Sequence, residues 1–180
     1  MPKTTEITID AYGGPEVLKA RTAEVPPPGR GELLIRQSAV GVNFHDVYVR
    51  SGQYRTLTPP GVPGIEAVGV VEAIGEGVAG FQPGDRIGYV TDAYGAYAGA
   101  RVLGADRAFR LPDTLSDVAA ASVLLKGLTA VMLTRHVHRV GEGQTVLVQA
   151  AAGGVGQLLC RMCQGLGARV IGVVGAPAKA

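Results

Sequence analysis

A chain of 180 residues allows one large or two small domains, and an apolar share of 47% permits a core. A formal net charge of +2, with no block of like charges, gives no footing for nucleic acid or a membrane surface. The 27 glycines and 11 prolines imply many turns, and so short strands rather than long helices.

The N-terminal stretch MPKTTEITID has no apolar core segment, so no signal peptide is expected. Ile7 and Ile9 alternate with Thr8 and Asp10 as a first strand. Gly13-Gly14-Pro15 turns it, and residues 17–21 are expected to return as a hairpin. Three prolines, Pro26 to Pro28, make a stiff linker. Residues 32–42 read as a strand. Residues 44–50 read as a short helix, capped by Asn43 and closed by Gly52. After a proline-rich loop holding Tyr54, strands are expected at 67–74 and 86–90, and a strand-like aromatic and glycine run at 94–103. Short strands punctuated by turns argue for a barrel-like β unit over residues 1–115.

Residues 116–180 have a different character. Ser116 caps a long helical pattern with Val118, Ala121, Ser122 and Leu125 on one face, expected to break at Lys126-Gly127. No apolar run reaches the ~18 residues of a membrane span. The nearest, 118–133, is interrupted by Ser122, Lys126, Gly127 and Thr129. Residues 145–149 read as a strand buried on both faces. A glycine loop of the form A-x-G-x-x-G follows, from Ala151 through Gly153 to Gly156, and opens a helix carrying Leu158, Leu159, Met162, Cys163 and Leu166. A second β-branched run occupies 169–174. Strand, glycine loop, helix and strand within about 30 residues form a dinucleotide-binding context. There glycine admits a pyrophosphate to the backbone, and the helix N-terminus offers it N–H groups. An ordinary tight turn is the plainer alternative.

Cys160 and Cys163 have C-x-x-C spacing but no further cysteines to complete a metal site, so they read as apolar helix residues. Free thiols suit a reducing cytoplasm. His136 and His138, two apart on a helix, point away from each other and read as surface residues.

The motifs GGPEVL at 13–18, VGVNFHDVYVRSGQY at 40–54, PGIEAVGVVEAIGEGVAGFQPGDRI at 63–87, KGLTA from Lys126 and QAAAGGVGQLLC from Gln149 run in order through the chain. On these, the sequence resembles the zinc-independent, zeta-crystallin-like NADPH:quinone oxidoreductases of the medium-chain dehydrogenase/reductase superfamily. The resemblance implies a mixed α and β fold: a GroES-like β-barrel domain at 1–115, then the start of a Rossmann domain at 116–180, which breaks off after its second strand. The fragment is expected to leave sheet edges and apolar surface uncovered. A homodimer is implied where a full Rossmann domain is present.

Zinc alcohol dehydrogenases carry a Cys where this chain has Asn43, and a His after the glycine where it reads Gly64-Ile65-Glu66. No metal is therefore expected. Without a Lewis acid, reduction of a quinone or related enone by direct hydride transfer is the fitting chemistry. The family implies that Asn43, Phe44, His45 and Asp46 approach the nicotinamide and its ribose, and that Tyr54 lines the acceptor pocket. Asn43 and Tyr54 are the implied catalytic pair. Lys126 and Thr129 line the cofactor cleft, and Gly153, Gly154, Val155 and Gly156 cradle the pyrophosphate. No acidic residue ends the second strand, as NAD enzymes usually require. Gly175 leaves room, and Lys179 supplies charge, for a 2′-phosphate, which favours NADPH. A non-catalytic GroES-like interaction protein and a zinc-free alcohol or enoyl reductase are the alternatives.

Overall fold

The computed structural model describes residues 1–179. Strands β1 (Lys3–Thr8) and β2 (Lys19–Glu24) pair antiparallel, with Lys3 opposite Glu24 and Thr8 opposite Lys19. The return strand begins later than the residue pattern suggests because Pro15–Val17 wind into a single 3-10 turn. A five-stranded antiparallel sheet follows in the order β6-β3-β4-β5-β7. Its members are β3 (Glu32–Val40), β4 (Glu66–Ile74), β5 (Arg86–Val90), β6 (Ala100–Gly104) and β7 (Ala108–Arg110). Helix α1 (Phe44–Ser51) lies in the connection from β3 to β4. Residues 91–99 form a loop rather than strand, held down by bonds from Gly95 and Ala96 N–H to the Gly64 carbonyl.

The sheet's inner face buries Leu33, Ile35, Ala67, Val71, Ile87, Tyr89 and Leu103. Each large apolar side chain removed from water there is worth about 1.5–3 kcal/mol before entropy is counted. The opposite face of β4 puts Val68 against Ala120 and Ala121, with Ala39, Leu111, Leu115 and Leu124 around them. A strand covered on both sides explains why β4 is a continuous apolar run rather than an alternating one.

Ala120 and Ala121 belong to helix α2 (Asp117–Val131), whose first residue is anchored on the sheet. Arg86 Nη2 donates to Asp117 Oδ1 at 2.5 Å, and Ser38 Oγ donates to Asp117 Oδ2 at 2.6 Å. The Ser38 hydrogen bond first, then the Arg86 guanidinium, hold this carboxyl below its ordinary range. The residues divide into two compact units, Met1–Leu124 and a second beginning at Leu125. The first reaches beyond residue 115 because the opening turns of α2 pack on β4.

The expected break at Lys126-Gly127 does not occur. Helix α2 runs through both residues, since one helical glycine costs only ~1 kcal/mol against alanine. The irregularity comes later, as a wider π turn over Met132–Val137. Val118, expected on one face with Ala121, is 71% exposed, while Ala120 and Ala121 are buried. By length and mean hydropathy alone, Asp117–Val137 is sufficient to cross a membrane. Within it Ala120, Ala121, Ala130 and Thr134 are buried.

The second unit carries the parallel pair β8 (Thr145–Val148) and β9 (Arg169–Gly172), bridged by helix α3 (Gly154–Gly165). The expectation of a strand buried on both faces is corrected here: of β8 only Val148 is buried, and Leu147 is 58% exposed. A two-stranded sheet with one helix laid on it has a single covered face. Ile171 and Val173 are exposed for the same reason. Cys163 is buried and Cys160 half-buried on α3, both as free thiols. His136 and His138 are exposed.

Candidate functional site

The candidate residues fall in two groups, one in each unit. In the first unit, α1 begins at Asn43, whose backbone is extended (φ −128°, ψ 157°). Asp46, three residues on, turns its carboxylate back to accept the Asn43 N–H at 2.8 Å. This is the returning half of a capping box, and it favours negative charge at the positive end of the helix. At the other end Gly52 takes the left-handed conformation (φ 79°) that closes the helix. The Tyr54 N–H then bonds the Tyr48 carbonyl at 3.0 Å, folding the following segment back over α1.

Asn43 presents its amide inward. Its Nδ2 donates to Glu66 Oε1 at 2.6 Å, and Glu66, the first residue of β4, is fully buried. Asp46 is buried as well, 4% exposed, and its Oδ2 also accepts from the Tyr97 hydroxyl at 3.0 Å. Of the four residues expected to approach the cofactor, Asn43 and Asp46 are therefore committed to a buried polar network, and Phe44 and His45 are not. Phe44 is 77% exposed.

The exposed side of α1 is aromatic. Phe44 and Tyr48, one turn apart, have ring centroids 6.4 Å from each other, and Tyr54 lies 5.1 Å from Tyr48 and 5.9 Å from His45. Tilted rings at these separations are favourable contacts. Tyr94 completes the group, parallel to the His45 ring within 4°. Residue types and spacing alone do not reveal Glu66, Tyr94 and Tyr97 as members. Tyr94 and Tyr97 fall in a run of aromatics and glycines that mimics a strand.

Burial first, and then the adjacent Asp46 carboxylate, push the Tyr97 hydroxyl well above the ordinary tyrosine range. Burial raises Tyr89 too, with Arg101 opposing. In the unfolded chain a tyrosine ionises near ~10. Above that pH the unfolded state loses protons that the folded state retains, so stability falls as pH rises. Chemical denaturation from pH 8 to 11 should show this loss, with a shallower slope in Tyr97→Phe, where the Tyr89 contribution remains. An unchanged slope would count against the assignment.

The second group surrounds the glycine loop. After β8, Ala150 takes a positive φ of 51°, a strained conformation for a residue with a Cβ. The loop is pinned by Ala151 N–H to the Val173 carbonyl at 2.9 Å and by Gly153 N–H to the Ala150 carbonyl at 2.8 Å. Helix α3 begins at Gly154 with Gly153 as its cap, and no side chain caps it. Its first-turn N–H groups have no helical acceptor and face outward past exposed Gly153 and Gly154.

Gly156 is buried where the helix presses on the loop. A Cβ there would stand 2.2 Å from the Ala150 carbonyl oxygen and 2.8 Å from Ala151 Cα. A Cβ on Gly154 would meet Lys126 Cδ at 2.9 Å, so the Lys126 stem lies across the first turn of α3. Val155 is half-buried beside it. The Thr129 hydroxyl donates back to the Leu125 carbonyl at 2.8 Å, leaving only its lone pairs for a ligand. Gly175 and Lys179 are exposed beyond β9. Loop, uncapped helix N-terminus and lysine fit a pyrophosphate: the glycines give access, and the N–H groups and the cation supply the charge.

The alcohol dehydrogenase GroES-like domain family matches residues 29–113. A quinone oxidoreductase of Pseudomonas aeruginosa is 44% identical over 97% of this chain and 54% of its own length. A 2-haloacrylate reductase of a Burkholderia species is 40% identical over 96% of this chain and 53% of its own. Among solved structures, the Escherichia coli quinone oxidoreductase complexed with NADPH superposes with a TM-score of 0.94 at 40% identity, over 98% of this chain and 54% of that one. The chain thus spans about half the length of the curated relatives it matches.

Proposed function

Since the chain belongs to the quinone oxidoreductases of the medium-chain dehydrogenase/reductase superfamily, we propose that it serves NADPH-dependent reduction of quinones or related enones, without zinc. The observation that carries this reading is the glycine cradle: a loop closed so tightly on the start of α3 that Gly156 has no room for a Cβ, with Lys126 laid over Gly154.

When bound, NADPH supplies the hydride. The chain's own part is to hold and orient. The first-turn N–H groups of α3 and the Lys126 ammonium would hold the pyrophosphate, with Gly175 and Lys179 toward the 2′-phosphate. Phe44, Tyr48 and Tyr54 offer aromatic faces against which a flat acceptor ring stacks. Asn43, tied to Glu66, fixes the start of α1 and so the position of His45. Zinc independence is supported by donor chemistry: an amide nitrogen that donates to a carboxylate is no metal ligand. The free thiols Cys160 and Cys163 suit a reducing cytoplasm.

A second acceptor class, activated acrylates, is supported by the likeness to 2-haloacrylate reductase. Cofactor fluorescence titration of the full natural protein tests the main reading. NADPH should bind at least ~tenfold more tightly than NADH, about 1.4 kcal/mol, within the range of one charge-assisted phosphate contact. Absence of binding at millimolar NADPH would overturn it.

A further inference from the structure

The aromatic group around α1 contains a chain of hydrogen bonds that cofactor holding and ring stacking leave unused. Tyr94 OH lies 3.0 Å from His45 Nε2 and 2.5 Å from Thr56 Oγ1. The Tyr94 loop is pinned by Arg101, whose Nη2 donates to the Tyr94 carbonyl at 3.3 Å and whose Nη1 donates to the Ala93 carbonyl at 3.4 Å. Thr56 is exposed, while Tyr94 and His45 are half-buried. The chain therefore leads from water inward to an imidazole, whose ring stands 5.9 Å from that of Tyr54.

The donor order follows from acidity. A phenol is the best donor of the three groups, and an imidazole nitrogen the best acceptor. Tyr94 O–H thus donates to His45 Nε2, and Thr56 O–H donates to Tyr94. With Nε2 accepting, neutral His45 carries its proton on Nδ1. Among the described residues no hydrogen bond engages Nδ1.

We propose that His45 is the acid that protonates the acceptor oxygen, and that Tyr94 and Thr56 position it and refill its proton. The proposal rests on the reductase reading above. As the acceptor's electron-poor carbon gains the hydride, a π pair moves to the carbonyl oxygen. That oxyanion takes the Nδ1 proton. The Tyr94 proton passes to Nε2, the Thr56 proton passes to Tyr94, and water reprotonates Thr56. The acceptor gains a hydride and a proton and is reduced, while the cofactor is oxidised. The His45 left behind carries its proton on Nε2. It returns to the Nδ1–H form when water donates a proton to Nδ1 and the chain passes one outward through Tyr94 and Thr56. The net supply is one proton from water, and no group on the protein changes its charge over the cycle.

The test uses the full natural protein, NADPH and 1,4-benzoquinone. In His45→Gln kcat should fall on the order of 100-fold, and in Tyr94→Phe on the order of tenfold, with NADPH affinity unchanged in Tyr94→Phe. Nitrogen-15 NMR gives a second readout independent of turnover. His45, assigned by its loss in His45→Gln, should be the Nδ1–H tautomer in the wild type and shift toward Nε2–H in Tyr94→Phe. A wild type that turns over while both variants keep their kcat would overturn the relay and leave the reductase reading standing. An Nε2–H tautomer in the wild type would also overturn it. A wild type that neither binds NADPH nor turns over would remove the reductase reading, and the relay with it.

Discussion

Gly156→Ala is expected to lower NADPH affinity by at least ~100-fold and to destabilise the second unit by about 1–3 kcal/mol, the usual cost of overpacking a tight site. The atoms that an added methyl meets are backbone: the Ala150 carbonyl oxygen at 2.2 Å and Ala151 Cα at 2.8 Å. They cannot swing aside as a side chain does. Helix α3 must therefore withdraw from the loop, carrying its N–H groups away from the phosphate they would bind. Two glycines on the same helix serve as controls. At Gly154 the added methyl meets only the stem of Lys126, which is flexible, so the effect should be several-fold smaller. At Gly165 nothing lies within 4 Å, and alanine should be neutral or stabilise by about 0.4–1 kcal/mol. Cofactor titration and thermal melts of the three variants decide the matter. Equal NADPH affinity in Gly156→Ala and wild type would remove the cradle from the binding site.

How far the sequence could be read depended on whether local rules or distant partners decide each element. Helix α1 was legible nearly to the residue, because Asn43 and Gly52 are local signals that hold wherever the helix docks. The β8-loop-α3-β9 order was legible from its glycines for the same reason. Misreadings arose where tertiary packing overrides pattern. Lys126-Gly127 looked like a break, but helix continuity across them outweighs one glycine. Residues 94–97 looked like strand, but the N–H groups of Gly95, Ala96 and Tyr97 bond to Pro63 and Gly64 rather than to a ladder.

The same distinction runs through the candidate site. The glycine loop announces itself because its geometry admits few residues. The polar network does not: Glu66 reads as the edge of an apolar strand, and its pairing with Asn43 spans 23 residues of sequence. His45 is expected near the cofactor from the family resemblance, whereas its bond to Tyr94, on which the proposed role rests, spans 49 residues. Nothing in spacing or periodicity predicts a contact of that separation.

That long-range pairing is also where an isosteric change should act most strongly. Asn43→Asp replaces the amide that donates to Glu66 at 2.6 Å with a second carboxylate of the same shape. At neutral pH two carboxylates then face each other where one is fully buried and the Asp46 carboxylate is already nearby. Like charges so placed cannot both remain ionised without a large cost. The expected loss is about 2–4 kcal/mol, below the 3–5 kcal/mol typical when a buried pair is broken outright, because protonation offers a partial escape. The melting temperature should fall by roughly 5–15 °C. The pH dependence carries a definite sign. In the folded variant the pair holds a proton that the unfolded chain releases near pH ~4. The variant therefore loses stability relative to wild type as pH rises from about 4 to 7, and recovers on acidification. A constant difference between the two proteins across that range would mean that the Asn43 amide does not face Glu66 in solution. The network that fixes the start of α1, and with it His45, would then need a different basis.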